Sequence, residues 1–333
     1  MQAFIIDRYG KKEVGRIGVG PEPEVLDNDV LVQIHAASVN VLDLKIKSGG
    51  FKLILPYDLP LILGNDVAGT VIGVGAGVRN FKIGDEVYAR PDDYRIGTFA
   101  ERIAINESSL ALKPGNLSMV EASALPLVAL TAWQTLVETA NLKKGQKVLI
   151  QAGSGGVGTI AIQLAKHLGA FVAATTSTAN VDWVAALGAD VVIDYKKQDF
   201  STVLRHYDVV LNSLGNDELK KSLQILKPGG HLISISGPPT PAFAAARGLA
   251  WPLQQVLRLL SFGIRHKAKK KGIQYTFVFM RADGEQLRQI TPLVESGSIR
   301  PVVDKVFPLQ ETAEALAYVD SGRAKGKVVV RVR

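Results

Sequence analysis

The stretch Ala152-Gly153-Ser154-Gly155-Gly156-Val157-Gly158 constrains the fold more than any other part of this 333-residue chain. It places Gly153, Gly155 and Gly158 in the spacing G-x-G-x-x-G, directly after the apolar run Val148-Leu149-Ile150. Beyond it, Ile160, Ala161, Leu164, Ala165 and Leu168 recur at helical spacing until Gly169. Strand, tight glycine turn and apolar-faced helix, in that order, predict a βα unit whose turn comes close to a pyrophosphate. The helix N-terminus would then offer free N–H groups and the positive end of its dipole. Gly153, Ser154, Gly155, Gly156, Val157 and Gly158 are therefore candidate cofactor-binding residues. The plainer alternative is a glycine turn that merely closes a βα unit.

A rival reading uses the same residues. Ala152 to Gly156 is similar to a degenerate G-x-S-x-G nucleophile elbow, which would make the chain a serine hydrolase with Ser154 attacking an acyl group and His231 or His266 as base. The first glycine of that pattern is missing, and Gly158 would have no role.

The flanking pattern divides the chain. From Met1 to about Pro126, short β-rich runs such as Val30-Leu31-Val32-Gln33-Ile34-His35 and Val67 to Val74 alternate with turn residues, which predicts a compact antiparallel barrel. After Leu127 the apolar runs at 148–150, 171–174, 191–193, 209–211 and 232–235 alternate with helical stretches, the signature of a doubly wound parallel sheet. From about Ala282 a helix, the strand Pro301 to Phe307, another helix and the strand at 326–330 follow. These late strands are expected to return to the barrel. The expected division is 1–125 for the first part of the barrel domain, 126–281 for the Rossmann dinucleotide domain, and 282–333 for the return.

The absence of cysteine excludes disulfides, a thiolate zinc site, an iron–sulfur cluster and a cysteine nucleophile. Met1 to Asp7 reads as a first strand with no basic start, and no apolar run reaches the length of a membrane span, so a cytoplasmic protein is expected. The formal charge of +8 includes one dense cluster, His266-Lys267-Ala268-Lys269-Lys270-Lys271. It reads as a solvated helix end, and nucleic acid is not an expected partner.

Thr175-Thr176-Ser177-Thr178 stands where an NAD-binding fold places an acid for the ribose 2′-hydroxyl. Hydroxyls at Thr176, Ser177 and Thr178 accept a 2′-phosphate without repulsion, which favours NADP. They could equally cap the helix holding Val181, Val184 and Leu187. The nearest acid in sequence, Asp182, falls within that helix.

With a barrel half, a nucleotide half and a returning C-terminus, the chain resembles the medium-chain dehydrogenase/reductase superfamily, in its zinc-independent quinone oxidoreductase and alkenal (enone) reductase branch. The resemblance rests on Asn40 to Lys45, Leu63 to Gly69, Gly84 to Val87, Leu125 through Ala132, Asn212 to Gly215 and Gly322 to Lys327. It implies a GroES-like barrel that is discontinuous in sequence. Zinc-dependent relatives carry cysteine where this chain has Asn40, and His-Glu where it has Asn65-Asp66, so no metal is expected.

The resemblance also implies roles. Asn40 and Asp43 would line the nicotinamide pocket, and Lys45 would hydrogen-bond a developing enolate oxygen. Thr131 would lie beside the nicotinamide, Tyr195 near the adenosine phosphate, and Ser213 and Gly215 at the end of the fourth strand. Phe277, Val278 and Phe279 would wall the cofactor, and Gly326 and Lys327 would form a C-terminal clamp. Asn180 stands where relatives often have lysine, which weakens the preference for NADPH without restoring NAD.

The activity so implied is hydride transfer from NADPH to a quinone or to the C=C bond of an α,β-unsaturated carbonyl, by a homodimer. A non-catalytic NADP-binding protein with a nucleic-acid-binding surface is the third class. The apolar segment Pro238 to Gly272, which ends in the basic cluster, reads as a lid, a subunit contact, or a helix at 249–271 that touches a membrane surface transiently.

Overall fold

The structure, a computed structural model, describes all 333 residues, and the chain divides into two compact units. Unit 1 comprises Met1–Leu130 and Arg281–Arg333, and unit 2 comprises Thr131–Met280.

Unit 1 begins with β1 (Gln2–Ile6), β2 (Arg16–Val19) and the long β3 (Asp29–Val39). Helix α1 (Val41–Lys47) follows at once, then β4 (Leu61–Ile62), β5 (Val67–Val74), β6 (Glu86–Ala89), β7 (Arg102–Asn106) and β8 (Leu110–Leu112). Helices α2 (Met119–Ser123) and α3 (Pro126–Trp133) close this part, and the unit boundary falls within α3.

Unit 2 alternates β9 (Lys147–Ile150), α4 (Gly156–His167), β10 (Phe171–Thr176), α5 (Val181–Ala186), β11 (Val191–Asp194), α6 (Phe200–Val203) and β12 (Tyr207–Asn212). It continues through α7 (Asn216–Ile225), β13 (Leu226–Ser234), α8 (Pro241–Ala246), α9 (Trp251–Lys270) and β14 (Gln274–Phe277). The chain returns to unit 1 with α10 (Gly284–Glu295), β15 (Val303–Pro308), α11 (Thr312–Asp320) and β16 (Lys327–Arg331).

In unit 1 one sheet runs β15-β16-β3-β5-β6-β8 with β7 also on β3, and a smaller one runs β2-β1-β4. The two C-terminal strands thus join the N-terminal sheet through β16 on β3. The antiparallel pattern expected from the short runs has one exception, because β15 and β16 pair in parallel across helix α11. Val30, Val32, Ile34, Val67, Val71, Val87, Ile103 and Ile105 fill one core of this unit, the inward residues of strands that alternate in period two.

In unit 2 all six strands are parallel, in the order β11-β10-β9-β12-β13-β14. Chain order reverses between β9 and β12, and a crevice at the carboxyl ends of those two strands is where a doubly wound sheet takes its ligand. Leu149, Ala173, Val210 and Leu232 are fully buried, as strands covered on both faces require.

Candidate active site

In unit 1 three element ends converge. Strand β3 stops at Val39 and α1 starts at Val41, with Asn40 between them in extended conformation as N-cap. Strand β5 starts at Val67, opposite Ala37, which puts Asn65 and Asp66 beside Ser38 and Asn40. Strand β16 pairs Val328 with Val39, which brings Lys327 to the same place. Gly326 lets the chain enter β16: its φ is +72°, and a Cβ there would lie 2.3 Å from the Val302 carbonyl oxygen.

The resulting cluster is buried and densely bonded. Lys327 Nζ donates to the Val39 carbonyl (3.1 Å), to Asn40 Oδ1 and to Asp66 Oδ2 (3.2 Å). Asp66 Oδ2 also accepts from Ser38 Oγ and from Asn40 Nδ2, each at 2.8 Å, while Oδ1 accepts from the Leu127 N–H. Asp43 accepts from the Asn40 N–H at 2.7 Å and from Asn65 Nδ2 at 2.6 Å. Burial pushes the Asp43 carboxyl up to about 6, against the pull of the Asn65 amide, the Asn40 N–H and the Lys327 charge.

The residues expected to face a substrate therefore play different parts. Asn40 and Asp43 spend their polar atoms inside the protein. Lys327, expected to clamp a cofactor, instead commits its ammonium to Val39, Asn40 and Asp66. Lys45, one half-turn beyond Asp43, is half-buried with its ammonium 5.3 Å from the centre of the Phe51 ring, and it makes no hydrogen bond in the chain. Burial lowers its pKa, which eases release of a proton.

In unit 2 the glycine turn sits at the carboxyl end of β9, at the reversal of strand order. Gly153 and Gly158 are buried, and Ser154, Gly155, Gly156 and Val157 between them are half-exposed. Gly158 has no room for a side chain, since a Cβ would lie 2.2 Å from the Ala152 carbonyl oxygen and 2.8 Å from the Gly153 Cα. A Cβ on Gly155 would meet only that carbonyl, at 3.4 Å, so its other side is open to a ligand. Gly155 is the N-cap of the twelve-residue α4 and no side chain caps the helix, leaving its first N–H groups for an anion.

The hydroxyl segment lies at the carboxyl end of the neighbouring β10. Thr175 Oγ1 accepts from the Ala152 N–H, tying it to the glycine turn. None of the hydroxyls caps α5, whose N-cap is Asn180 without a side-chain bond. Asn180 instead donates to Ser177 Oγ (3.1 Å) and accepts from Trp183 Nε1 (3.0 Å), which fixes Ser177. Thr176 Oγ1 is buried without a hydrogen-bond partner, and strand register sets Thr176 beside Asp194, whose Oδ2 lies 3.8 Å from Lys197 Nζ. An orphaned hydroxyl at this carboxyl edge fits the ribose end of a dinucleotide. Thr178 is exposed and its hydroxyl hydrogen-bonds Asp194, holding that carboxyl below its ordinary range.

Tyr195 follows β11, exposed, with its N–H on the Thr176 carbonyl. Ser213 Oγ donates to the Gln151 carbonyl at 3.3 Å, and Gly215 is the exposed N-cap of α7. Thr131 is buried and its carbonyl accepts from Thr135 Oγ1. At the end of β14, Phe277 packs edge-on against Phe243 with centroids 5.0 Å apart, Phe279 lies under the Arg247 guanidinium, and the Val278 N–H bonds the Ser234 carbonyl.

Several residues at these centres escaped the sequence reading. Asn212 Nδ2 donates to Gln151 Oε1 (2.6 Å), and Asn212 Oδ1 accepts from Ser234 Oγ (3.0 Å) and Ser236 Oγ (3.1 Å). This network joins the carboxyl ends of β9, β12 and β13. Ser38 and Asp66 in unit 1, and Asp194 in unit 2, belong with the missed residues. The one available signal was a polar residue closing an otherwise apolar strand. The hydrolase reading finds no support, because His231 bonds Thr276 Oγ1 with burial lowering its pKa to about 4, and His266 stacks on Phe262.

A six-stranded parallel sheet with a glycine turn at its reversal point, in a chain whose other unit is built on a β-sheet barrel pattern, defines a two-unit dinucleotide-binding protein. Residues 26–115 match the family described as "Alcohol dehydrogenase GroES-like domain", and residues 187–330 match the one described as "Zinc-binding dehydrogenase". The 2-methylene-furan-3-one reductase of Solanum lycopersicum is 36% identical over 341 residues, covering 99% of this chain and 79% of that one. The chloroplastic NADPH-dependent alkenal/one oxidoreductase of Arabidopsis thaliana is 35% identical with the same coverage. Among solved structures, the quinone oxidoreductase of Coxiella burnetii superposes with a TM-score of 0.87 at 31% identity, over 100% of this chain and 99% of that one. The chain belongs to the medium-chain dehydrogenase/reductase superfamily, among the quinone oxidoreductases and alkenal/one reductases.

Proposed function

We propose that the chain is an NADPH-dependent reductase that transfers hydride to a quinone or to the C=C bond of an α,β-unsaturated carbonyl, without zinc. One observation carries the reading: the half-exposed turn from Ser154 to Val157, at the reversal of strand order, leads into the uncapped N-terminus of α4. The tomato, Arabidopsis and Coxiella relatives are named for enone, alkenal/one and quinone reduction, which supports the same chemistry here.

The chemistry that the dinucleotide supplies when bound is a hydride for an electron-poor carbon. The chain's own residues bind and orient it. Backbone N–H groups from Gly156 onward and the α4 dipole receive the pyrophosphate, and Thr176 and Ser177 receive the 2′-phosphate. Lys45 holds a proton at Nζ for the oxygen on which charge develops. Asn40, Asp43, Asn65, Asp66 and Lys327 fix the start of α1, which carries Lys45.

The residues of unit 1 do not fit zinc. The chain has no cysteine, its buried carboxylate Asp66 is already answered by an ammonium, and no group of three or more His, Asp or Glu side chains could hold a metal. Following NADPH and NADH oxidation by purified protein against a panel of alkenals, enones and quinones tests the reading. Turnover with NADPH that survives a strong chelator is expected. Binding of neither coenzyme, or activity lost with the metal, would overturn it.

A further inference from the structure

The excess positive charge of this protein resides in one acid-free segment. From Leu219 to Ala282 there is no Asp or Glu in 64 residues, against eleven Lys and Arg. Removing those eleven from the thirty-nine basic residues leaves twenty-eight against thirty-one carboxylates, a net −3 for the rest of a chain whose total is +8. Within the segment, Lys220, Lys221, Lys227 and Arg281 are paired with Asp217, Asp199, Asp208 and Asp283 from outside it. The remainder concentrates on α9 and the residue after it, as Arg258, Arg265, Lys267, Lys269, Lys270 and Lys271.

Helix α9 also exposes several large apolar side chains. Its inner stripe is Leu257, Ser261, Ile264 and Ala268. Away from that stripe Trp251 is 71% exposed, Leu259 75%, Leu260 63% and Phe262 60%. At 3.6 residues per turn, Trp251, Leu259 and Phe262 lie within about 80° of one another, on the side opposite the inner stripe. His266, Lys269 and Lys270 continue that same side. The outer face thus carries Trp251, Leu259 and Phe262 over its first three turns, with Gln255 and Arg258 among them, and is basic over the next two.

We infer that the outer face of α9 docks on an anionic lipid surface, with Trp251, Leu259 and Phe262 entering the headgroup boundary and the lysines meeting lipid phosphates and carboxylates. No helix is long and apolar enough to span a membrane, so this contact lies in the interface plane. A second copy of the chain is a poorer occupant, because a two-fold contact would bury the same basic run twice with no carboxylate in either segment to answer it. A nucleic acid would answer the charge but leave Leu259 and Phe262 in water. The inference rests on α9 alone and does not depend on the proposed activity.

Sedimentation of the full chain with vesicles of phosphatidylcholine, alone or mixed with phosphatidylserine, tests it. Retention is expected only on the anionic vesicles, weakening as salt rises, with a blue shift of tryptophan emission. The quadruple variant Lys267→Gln, Lys269→Gln, Lys270→Gln, Lys271→Gln is expected to lower vesicle affinity by about a thousandfold. Leu259→Glu with Phe262→Glu is expected to abolish retention while its thermal melting stays unchanged, since both side chains are exposed. Four results would overturn the inference: no retention on anionic vesicles, equal retention on neutral ones, retention untouched by both variants, or a solution dimer or RNA complex lost in the Leu259 variant while vesicles are ignored.

Discussion

The ammonium of Lys327 lies 3.2 Å from Asp66 Oδ2, with 4% and 0% of the two side chains exposed. The residues are 261 positions apart, and the pair joins β16, the last strand of the chain, to the turn before β5. Asn40 bridges them, donating to Asp66 and accepting from Lys327. The start of α1 is therefore held by a buried charge pair that spans nearly the whole chain.

Breaking that pair from one side leaves a buried charge unanswered. Lys327→Met is expected to destabilise unit 1 by about 3–5 kcal/mol. Adding Asp66→Asn to the same protein should restore much of the loss, since neither charge then stays buried alone. Urea unfolding of the two single variants and the double variant measures the coupling, and strictly additive losses would show that the pair is not the unit of stability.

Asp43 gives a pH signature. Its folded pKa, about 6, stands above its ordinary value, so between those two values the folded state holds a proton that the unfolded state has released. This group therefore favours the fold increasingly as pH falls through 6, and the benefit is absent at neutral pH. Compared with Asp43→Asn, which does not titrate, the native protein should gain relative melting temperature from pH 7 to pH 5. A constant difference across that range would show that Asp43 has an ordinary pKa.

The βα rhythm and the glycine turn were legible because period and spacing are local properties. The parallel sheet of unit 2 and the glycine turn between β9 and α4 followed from them. The polar centres were not legible, because each member comes from a different element and only register brings them together. The clamp role of Lys327 came from the family resemblance alone; in the structure the pairing of Val328 with Val39 turns its side chain inward. Asp182 is nearest to the hydroxyl segment in sequence, yet Thr176 stands opposite Asp194 on β11.

The glycine turn can be tested without chemistry. Gly158→Ala places a methyl group 2.2 Å from the Ala152 carbonyl, so the turn must open. Nicotinamide fluorescence titration should show NADPH affinity reduced by at least about tenfold. Retained affinity would mean that the dinucleotide does not use this turn.

Coenzyme choice is expected to sit at Ser177, whose hydroxyl is fixed by Asn180. Ser177→Asp would oppose a 2′-phosphate and offer a carboxylate to a ribose hydroxyl. The ratio of NADH to NADPH efficiency should rise by about ten- to a hundredfold. A ratio that does not move would place the 2′-phosphate elsewhere.

Lys45 separates positioning from chemistry within unit 1. Its ammonium is the one polar group of the Asn40, Asp43 and Lys45 trio with no hydrogen bond to the chain, so removing it leaves no buried partner stranded. Lys45→Met should keep the melting temperature and NADPH affinity of the native protein while lowering kcat for enones by about a hundredfold, the usual effect of losing one donor to a developing oxyanion. Quinones develop charge on an oxygen as well, and a parallel loss with them is expected. Because Asn40 and Asp43 act through the fold of α1, their variants should lose stability and activity together. A Lys45→Met protein with native kcat would therefore assign oxygen stabilisation to another group while leaving the glycine turn and its dinucleotide untouched.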